Sequence, residues 1–174
     1  MSIQDYSIDT SRTITHKTIE LPVPWLTFIT SLESRLGRYK SASVKSATTL
    51  QELETSVNEM RGDEPYTIYD IQDHGKLSTL FGRAQKARQY VLGNSLIAGA
   101  MDVHDIRVAL HAPIVNLVYE KRPGFTTIEY DTAESVFRAL TDGNEEVIAI
   151  SKITDQTRDD LFQQVFVDAS KANV

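Results

Sequence analysis

Alternating and helically spaced apolar residues divide the first part of the chain into a strand and a helix. Residues 13–21 alternate and are rich in β-branched side chains, which predicts a strand that is bounded by Pro22. A helix is predicted to begin at Pro24 and to end at Gly37. The apolar stripe of this helix, which we expect in the core, consists of Trp25, Phe28, Ile29, Leu32 and Leu36.

A second amphipathic segment follows a polar stretch. Residues 38–46 are polar and basic, which is typical of a loop. Thr48 or Thr49 is then placed to cap a helix that ends at Gly62. The apolar face of this second helix consists of Leu50, Leu53, Val57 and Met60.

The middle of the chain has the pattern of strands separated by short helices. Strands are predicted at residues 65–71, 88–92, 114–120 and 125–130. Short helices are predicted at residues 76–83, 96–101 and 105–110. The turn at residues 122–124 joins the last two strands in a hairpin, and Thr132 is expected to cap a helix that runs through Leu140.

The last part of the chain has apolar residues at helical spacing between Leu161 and Ala169, so we expect a helix that packs on the body of the protein or on a partner. Together the elements predict an α+β fold. It is a two-layer sandwich of a small, mainly antiparallel sheet covered by helices, with additional helices at residues 47–62 and at the C-terminus. We expect one domain over residues 1–174, with a core of about residues 12–140 and a C-terminal helical extension of about residues 145–174.

Composition limits the classes of function. The 174 residues carry a formal net charge of -6, whereas a nucleic-acid interface needs a basic face, so no nucleic-acid partner is expected. The absence of cysteine excludes disulfides, thiol nucleophiles and cysteine-ligated metal sites. The chain has neither a signal-peptide pattern nor an apolar run long enough to cross a bilayer, so we expect a cytoplasmic protein with no membrane partner.

Three motifs in the middle of the chain resemble those of a known family. They are GNSLIAGAM at residues 93–101, LHAPIVNLVYE at residues 110–120 and IEYD at residues 128–131. In this order they resemble the DUF302 family, also called TT1751-like, whose members have a strand that ends in a Gly-Asn-Pro-type turn, a small-residue helix and a proline-led strand. The chain has Ser95 where the family usually has proline. Residues 13–37 resemble the family more loosely, while residues 38–64 and the tail after Leu140 look like additions.

The resemblance carries expectations about assembly and cofactor. It implies a two-layer α+β domain that is often dimeric, so we expect a homodimer. Some members of the family are thought to bind haem and to show peroxide-dependent activity, which makes haem a candidate cofactor. No haem-ligand motif is present in this chain to support that attribution, and no metal-ion site is predicted.

Histidine offers the most chemistry in this sequence, because imidazole binds haem iron and suits acid–base catalysis near neutral pH. Four histidines are present, and we single out His74, His104 and His111 as candidate catalytic residues or iron ligands. The alternative is structural: a buried, hydrogen-bonded imidazole at His104 and a turn at His74. No spacing between histidines matches a metalloprotease motif, and His16 is expected to be structural or exposed.

A second set of candidate residues is expected to bind the ligand without reacting with it. Gly93-Asn94-Ser95 joins a strand to a helix, where free backbone N–H groups can hold a carboxylate or phosphate. The ordinary alternative, which we favour, is that one of the two polar side chains caps the helix. Further ligand-binding candidates, for which packing alone is the alternative, are Met101, Tyr119 and Tyr130.

The leading hypothesis is a domain that binds a small hydrophobic or anionic molecule in a pocket between sheet and helices. It requires polar residues from distant positions to converge on one hollow: His74, Asn94, Met101, His104, His111 and Tyr130. Two enzymatic alternatives stay open, a haem peroxidase with a histidine ligand and a metal-free isomerase or lyase that acts on a hydrophobic metabolite with His74 or His104 as base. A further alternative is a non-enzymatic protein whose function lies in oligomer contacts.

Overall fold

Six strands form one sheet in the computed structural model, which describes residues 2–62 and 64–172. The strands are β1 (His16–Leu21), β2 (Gly37–Arg38), β3 (Thr67–Gln72), β4 (Ala87–Gly93), β5 (Ile114–Arg122) and β6 (Phe125–Asp131). Their order across the sheet is β1-β6-β5-β4-β3-β2. Every neighbouring pair is antiparallel except β2 and β3, which are parallel. The sheet is therefore mainly antiparallel, as the alternating segments predicted.

Helices connect the strands and cover the sheet. In the described ranges they are α1 (Trp25–Arg35), α2 (Ser41–Ser46), α3 (Leu50–Met60), α4 (His74–Leu80), α5 (Ser95–Asp102), α6 (Ala133–Leu140) and α7 (Glu145–Lys171). Short 3-10 helices lie at Ile3–Tyr6 and Ile106–Leu110. Within the described part of the chain, no helix combines the length and the apolarity that crossing a membrane would require.

The main core lies between one face of the sheet and helices α1 and α7. From α1 the predicted apolar stripe is buried, with Phe28 and Leu32 fully enclosed. On the sheet, residues two apart along each strand point the same way, so alternate side chains such as Tyr90, Val118 and Ile128 face the helices. Burying each large apolar side chain contributes about 1.5–3 kcal/mol, so this layer holds the fold together.

The C-terminal helix is part of this core. Leu161, Phe162, Val165 and Ala169 of α7 lie in the same apolar cluster as α1 and the sheet. The sequence suggested a core that ends near residue 140, followed by an extension. In the structure α7 is instead half of the covering layer, which explains its helically spaced apolar residues.

Residues 38–46 are not the loop that their polarity predicted. Arg38 pairs with Ile68 in the short parallel contact between β2 and β3, and α2 follows directly. The prediction was wrong because neither element has an apolar period of its own; both form through contacts with β3 and α3. Gly37 permits this close packing, since a Cβ there would lie 1.7 Å from the Met60 carbonyl oxygen.

The start of α3 confirms the predicted cap. The Thr49 side chain accepts a hydrogen bond from the Glu52 backbone N–H, and the Glu52 carboxylate in turn accepts one from the Thr49 backbone N–H. This reciprocal arrangement satisfies two of the N–H groups that a helix start leaves free.

A smaller apolar cluster fixes α5 at one end of the sheet. Met101 of α5 packs with Val108, Ala133, Phe137 and Val147, which joins α5 to α6, α7 and the 3-10 helix. The other side of α5 is left facing the strand ends, and that side carries the candidate site.

Candidate functional site

An apolar cleft opens where the ends of β4 and β5 meet α5. It has a volume of about 340 Å³, and we call it the main cleft. Tyr39 after β2, Val44 of α2 and Leu53 of α3 also line it. Apolar side chains supply much of the remaining surface: Leu92, Ile97, Pro113, Ile114 and Phe137.

Small residues on one face of α5 create the space. Ser95, Ala98, Gly99 and Asp102 all line the main cleft, and Ala98 and Gly99 each lie three or four residues from both Ser95 and Asp102, so the four share one helical face. A Cβ built at Gly99 would meet no other atom within 4 Å. The cleft therefore extends to the backbone of α5.

Two stacked tyrosines form an aromatic wall. The rings of Tyr39 and Tyr69 lie 3.8 Å apart between centroids with an interplanar angle of 12°. The Tyr69 hydroxyl shares a 2.8 Å hydrogen bond with the Ser95 hydroxyl. Burial raises the pKa of the Tyr69 phenol above its usual value, so Tyr69 carries no charge at neutral pH.

Gly93 allows the Tyr69 ring to lie against β4. A Cβ at Gly93 would lie 2.8 Å from both the Tyr69 ring and the Pro113 Cβ. At this distance the atoms overlap, so a side chain at this position would displace Tyr69 or Pro113. The glycine at the end of β4 therefore has a packing role, which places both Tyr69 and Pro113 in the wall of the main cleft.

Asp102 is the one charged residue among those that line the main cleft in the described ranges. It is the last residue of α5. Its Oδ1 atom is buried and has no hydrogen-bond partner. A buried carboxylate oxygen without a partner costs about 1–3 kcal/mol or more, so this end of the cleft is polar and unsatisfied.

Asn94 caps α5, as the favoured interpretation of the Gly-Asn-Ser turn predicted. Its Oδ1 accepts a 2.9 Å hydrogen bond from the Leu96 backbone N–H, and its Nδ2 donates to the Pro65 carbonyl oxygen at 2.7 Å. The side chain thus ties the helix start to the segment before β3, because both ends of its amide are used within the protein.

Comparison with solved structures identifies the architecture. The chain is similar to a structure described as an uncharacterized conserved protein DUF302 from Bacillus stearothermophilus, with a TM-score of 0.59 and 13% sequence identity, over 88% of this chain and 97% of that chain. The chain has a DUF302-like fold. At this identity the likeness concerns the fold alone. No family model matches the sequence, and neither does any curated protein.

The DUF302-like fold confirms the resemblance drawn from the three central motifs and the predicted α+β class. The matched 88% of the chain is a larger share than residues 12–140 make up, so the likeness includes residues outside the predicted core. Two of the three motifs contribute to the main cleft: residues 93–101 form the end of β4 and most of α5, and residues 110–120 contain Pro113 and most of β5.

The DUF302-like fold brings only part of the predicted site together. Four predicted residues line the main cleft: Gly93, Asn94, Ser95 and Met101. His74 and Tyr119 instead line a second hollow of about 400 Å³, together with Lys86 and Glu120.

The remaining predicted residues lie elsewhere. His111 borders a third hollow beside Val136 and Phe137, and His104 is an exposed residue after α5. Tyr130 is buried in the main core, where its hydroxyl donates a hydrogen bond to Asp159. The predicted convergence on one hollow is wrong, because these side chains lie in separate hollows, in the core or on the surface.

A histidine-ligated haem does not fit the main cleft. None of the residues that line it in the described ranges is a histidine, so no imidazole is available there for an iron ligand. Across residues 2–62 and 64–172, no group of three or more histidine or acidic side chains is placed to hold a metal ion.

Sequence reasoning missed Tyr39, Tyr69, Gly99 and Asp102 as residues of the cleft. A signal was available for two of them, since Gly99 and Asp102 share a helical face with Ser95. The stacked tyrosines gave none, because their contact depends on the parallel pairing of β2 with β3.

Proposed function

We propose that the protein binds a small, mainly apolar molecule in the main cleft. Ligand pockets are typically about 300–1,000 Å³ in volume and combine apolar walls with a few convergent polar groups. The main cleft has a volume of about 340 Å³, and among its apolar walls Tyr69, Ser95 and Asp102 supply polar groups. This combination supports a binding function.

Gly99 is the observation that carries the proposal. Glycine in a helix interior costs about 1 kcal/mol relative to alanine. Packing does not require it here, because a Cβ at Gly99 would meet nothing within 4 Å. What the glycine preserves is open space in the cleft, which a ligand would use.

The proposal is one of binding and not of catalysis. Ser95 hydrogen-bonds to the Tyr69 hydroxyl at 2.8 Å, and because burial raises the pKa of this phenol it stays protonated at neutral pH and cannot accept the serine proton. No histidine lines the main cleft in the described ranges, so the predicted histidine bases have no role at this site. Whether the chain forms a homodimer stays a prediction.

A dye titration of a cleft-filling variant tests the proposal. N-phenyl-1-naphthylamine, which is uncharged and fluoresces in apolar sites, should bind the wild-type protein saturably. Gly99→Leu places a side chain in the open space and should weaken binding at least about tenfold, which corresponds to about 1.4 kcal/mol. The helix itself should become slightly more stable, since leucine is a better helix former than glycine.

Ala100→Leu is the matched control. Ala100 is the next residue of α5, is exposed and does not line the main cleft. The substitution Ala100→Leu therefore adds the same leucine side chain outside the site. The control should bind the dye as the wild type does. Equal binding by Gly99→Leu and the wild type, or no saturable binding by the wild type, would contradict the proposal.

A further inference from the structure

We infer that the main cleft selects an apolar amine, a molecule with an aromatic or cyclic body and a cationic nitrogen that pairs with Asp102. The inference rests on the proposed binding function and specifies the class of ligand. The sequence predicted a hydrophobic or anionic ligand. The acidic side chain in the cleft disfavours the anionic ligand and favours a hydrophobic one that carries a positive charge.

The walls of the cleft carry one acidic group and no basic one. Asp102 has the only acidic side chain among the residues that line the cleft in the described ranges, and no lysine, arginine or histidine accompanies it. Tyr66 and Tyr69 stay neutral, since burial raises the pKa of both phenols. The cleft is therefore negative overall, and a ligand carboxylate or phosphate would meet a like charge in a site of reduced dielectric constant.

Asp102 has an unsatisfied carboxylate oxygen. Its Oδ1 atom is buried without a hydrogen-bond partner, and Asp102 forms no ion pair with the residues that the structure describes. It also sits at the C-terminal end of α5, where the helix dipole is negative and favours a cation. A buried acceptor in this position is costly to the free protein, and an N–H donor on a ligand would satisfy it.

The aromatic wall favours the same class of ligand. Tyr39 and Tyr69 are stacked at 3.8 Å and both line the cleft, so they contribute aromatic surface to it. Aromatic faces attract ammonium groups and stack with planar rings. A carboxylate at one end and a phenol stack along the wall are complementary to a cationic nitrogen on a planar apolar body.

Three probes that share a naphthalene ring and differ in charge separate the contribution of charge to affinity from that of hydrophobicity. We would displace bound N-phenyl-1-naphthylamine with 1-naphthylmethylamine, 1-naphthylmethanol and 1-naphthylacetate at pH 7. The amine should bind the wild-type protein about tenfold more tightly than the alcohol, and the acetate should bind more weakly than both.

The variant Asp102→Asn tests the residue itself. It should lose the preference for the amine over the alcohol while its melting temperature stays equal to or above that of the wild type, because an unpaired carboxylate has been removed. Asp70→Asn is the control: Asp70 is an exposed carboxylate on β3 that does not line the cleft, and the preference should persist there.

The outcomes distinguish this inference from the proposed function. Acetate binding as tight as that of the amine, an unchanged preference in Asp102→Asn, or an amine that fails to displace a saturably bound dye would overturn the amine assignment and leave the binding proposal standing. If neither the dye nor the amine binds the wild-type protein, both are overturned.

Discussion

His16 shows how the sheet places an imidazole between two carboxylates at an exposed strand end. Its Nδ1 atom lies 2.8 Å from Asp131 Oδ1, and its Nε2 atom lies 3.6 Å from Glu129 Oε2. The hydrogen bond to the Asp131 side chain is the main cause that raises the pKa of His16 above 6.5. Sequence alternation predicted an exposed or structural histidine, and the antiparallel pairing of β1 with β6 explains its partners.

The pKa of His16 should respond to Asp131. Because the folded state raises this pKa, protonated His16 stabilises the fold fully below the unfolded pKa of about 6.5, and that contribution is lost as the pH rises through the folded pKa. A titration of the imidazole by NMR should give a pKa above 6.5 in the wild type and a lower one in Asp131→Asn. Asp70→Asn, which is remote from His16, should leave the value unchanged; a His16 pKa that ignores Asp131→Asn would refute this.

A paired glycine experiment separates packing from helix propensity. Gly93→Ala should destabilise the protein by about 1–3 kcal/mol and weaken dye binding, because its methyl group overlaps Tyr69 and Pro113. Gly99→Ala should stabilise it by up to about 1 kcal/mol, since nothing opposes its Cβ. Urea denaturation measures both changes, and the same sign for both would contradict the packing described here.

At the scale of elements, α6 is capped from another helix. Thr132 was expected to cap it, but the Asp155 carboxylate of α7 accepts hydrogen bonds from the backbone N–H groups of Ala133 and Glu134 at 2.8 and 2.9 Å. The Thr132 hydroxyl bonds to Ser135 instead. A sequence pattern reports local caps only, so a cap that lies 22 residues away along the chain stays hidden.

The same carboxylate neutralises Arg158, a side chain that is fully buried. Arg158 Nη2 lies 2.5 Å from Asp155 Oδ1, and the guanidinium stacks 3.7 Å from the centre of the Tyr130 ring. Removing one partner of a buried ion pair costs about 3–5 kcal/mol, because the remaining charge is left without compensation. Asp155 therefore links the start of α6 to the core beneath α7.

Asp155→Ala should destabilise the protein by about 3 kcal/mol or more, since it removes both the cap and the ion-pair partner. Thr132→Ala should cost no more than about 0.5–1 kcal/mol, because the threonine does not cap α6. Chemical denaturation of the two variants provides the comparison. Equal losses of stability would show that Asp155 does not have this double role.

Helices and strands with a hydrophobic periodicity of their own were predictable from the sequence, and elements that depend on contacts with distant residues were not. The helix at Leu50–Met60 with its Thr49 cap, and the hairpin of β5 and β6, appear where alternation, capping and turn residues predicted them. The strand Gly37–Arg38 and the helix Ser41–Ser46 were missed because their stability comes from β3 and α3. Local patterns carry no information on such partners.

At the scale of the whole molecule, the fold class was predictable from the sequence, but only some of the residues that line the main cleft were. The alternation of short strands and amphipathic helices was sufficient for an α+β sandwich, which the DUF302-like fold confirms. The order β1-β6-β5-β4-β3-β2 depends on long-range pairing, and it decides which strand ends share an edge. For this reason Asn94 and Ser95 line the main cleft, whereas His74 and Tyr119 line the second hollow.

The most direct test of the account is to map the bound ligand on the protein. Amide chemical shifts of ¹⁵N-labelled protein, recorded during a titration with 1-naphthylmethylamine, report which residues it approaches. We predict the largest changes at residues 93–102 and at Tyr39 and Tyr69, with smaller changes throughout α5 in Asp102→Asn. Changes centred on His74 and Tyr119 would contradict a binding site in the main cleft, and the absence of any change would contradict the assignment of an amine to it.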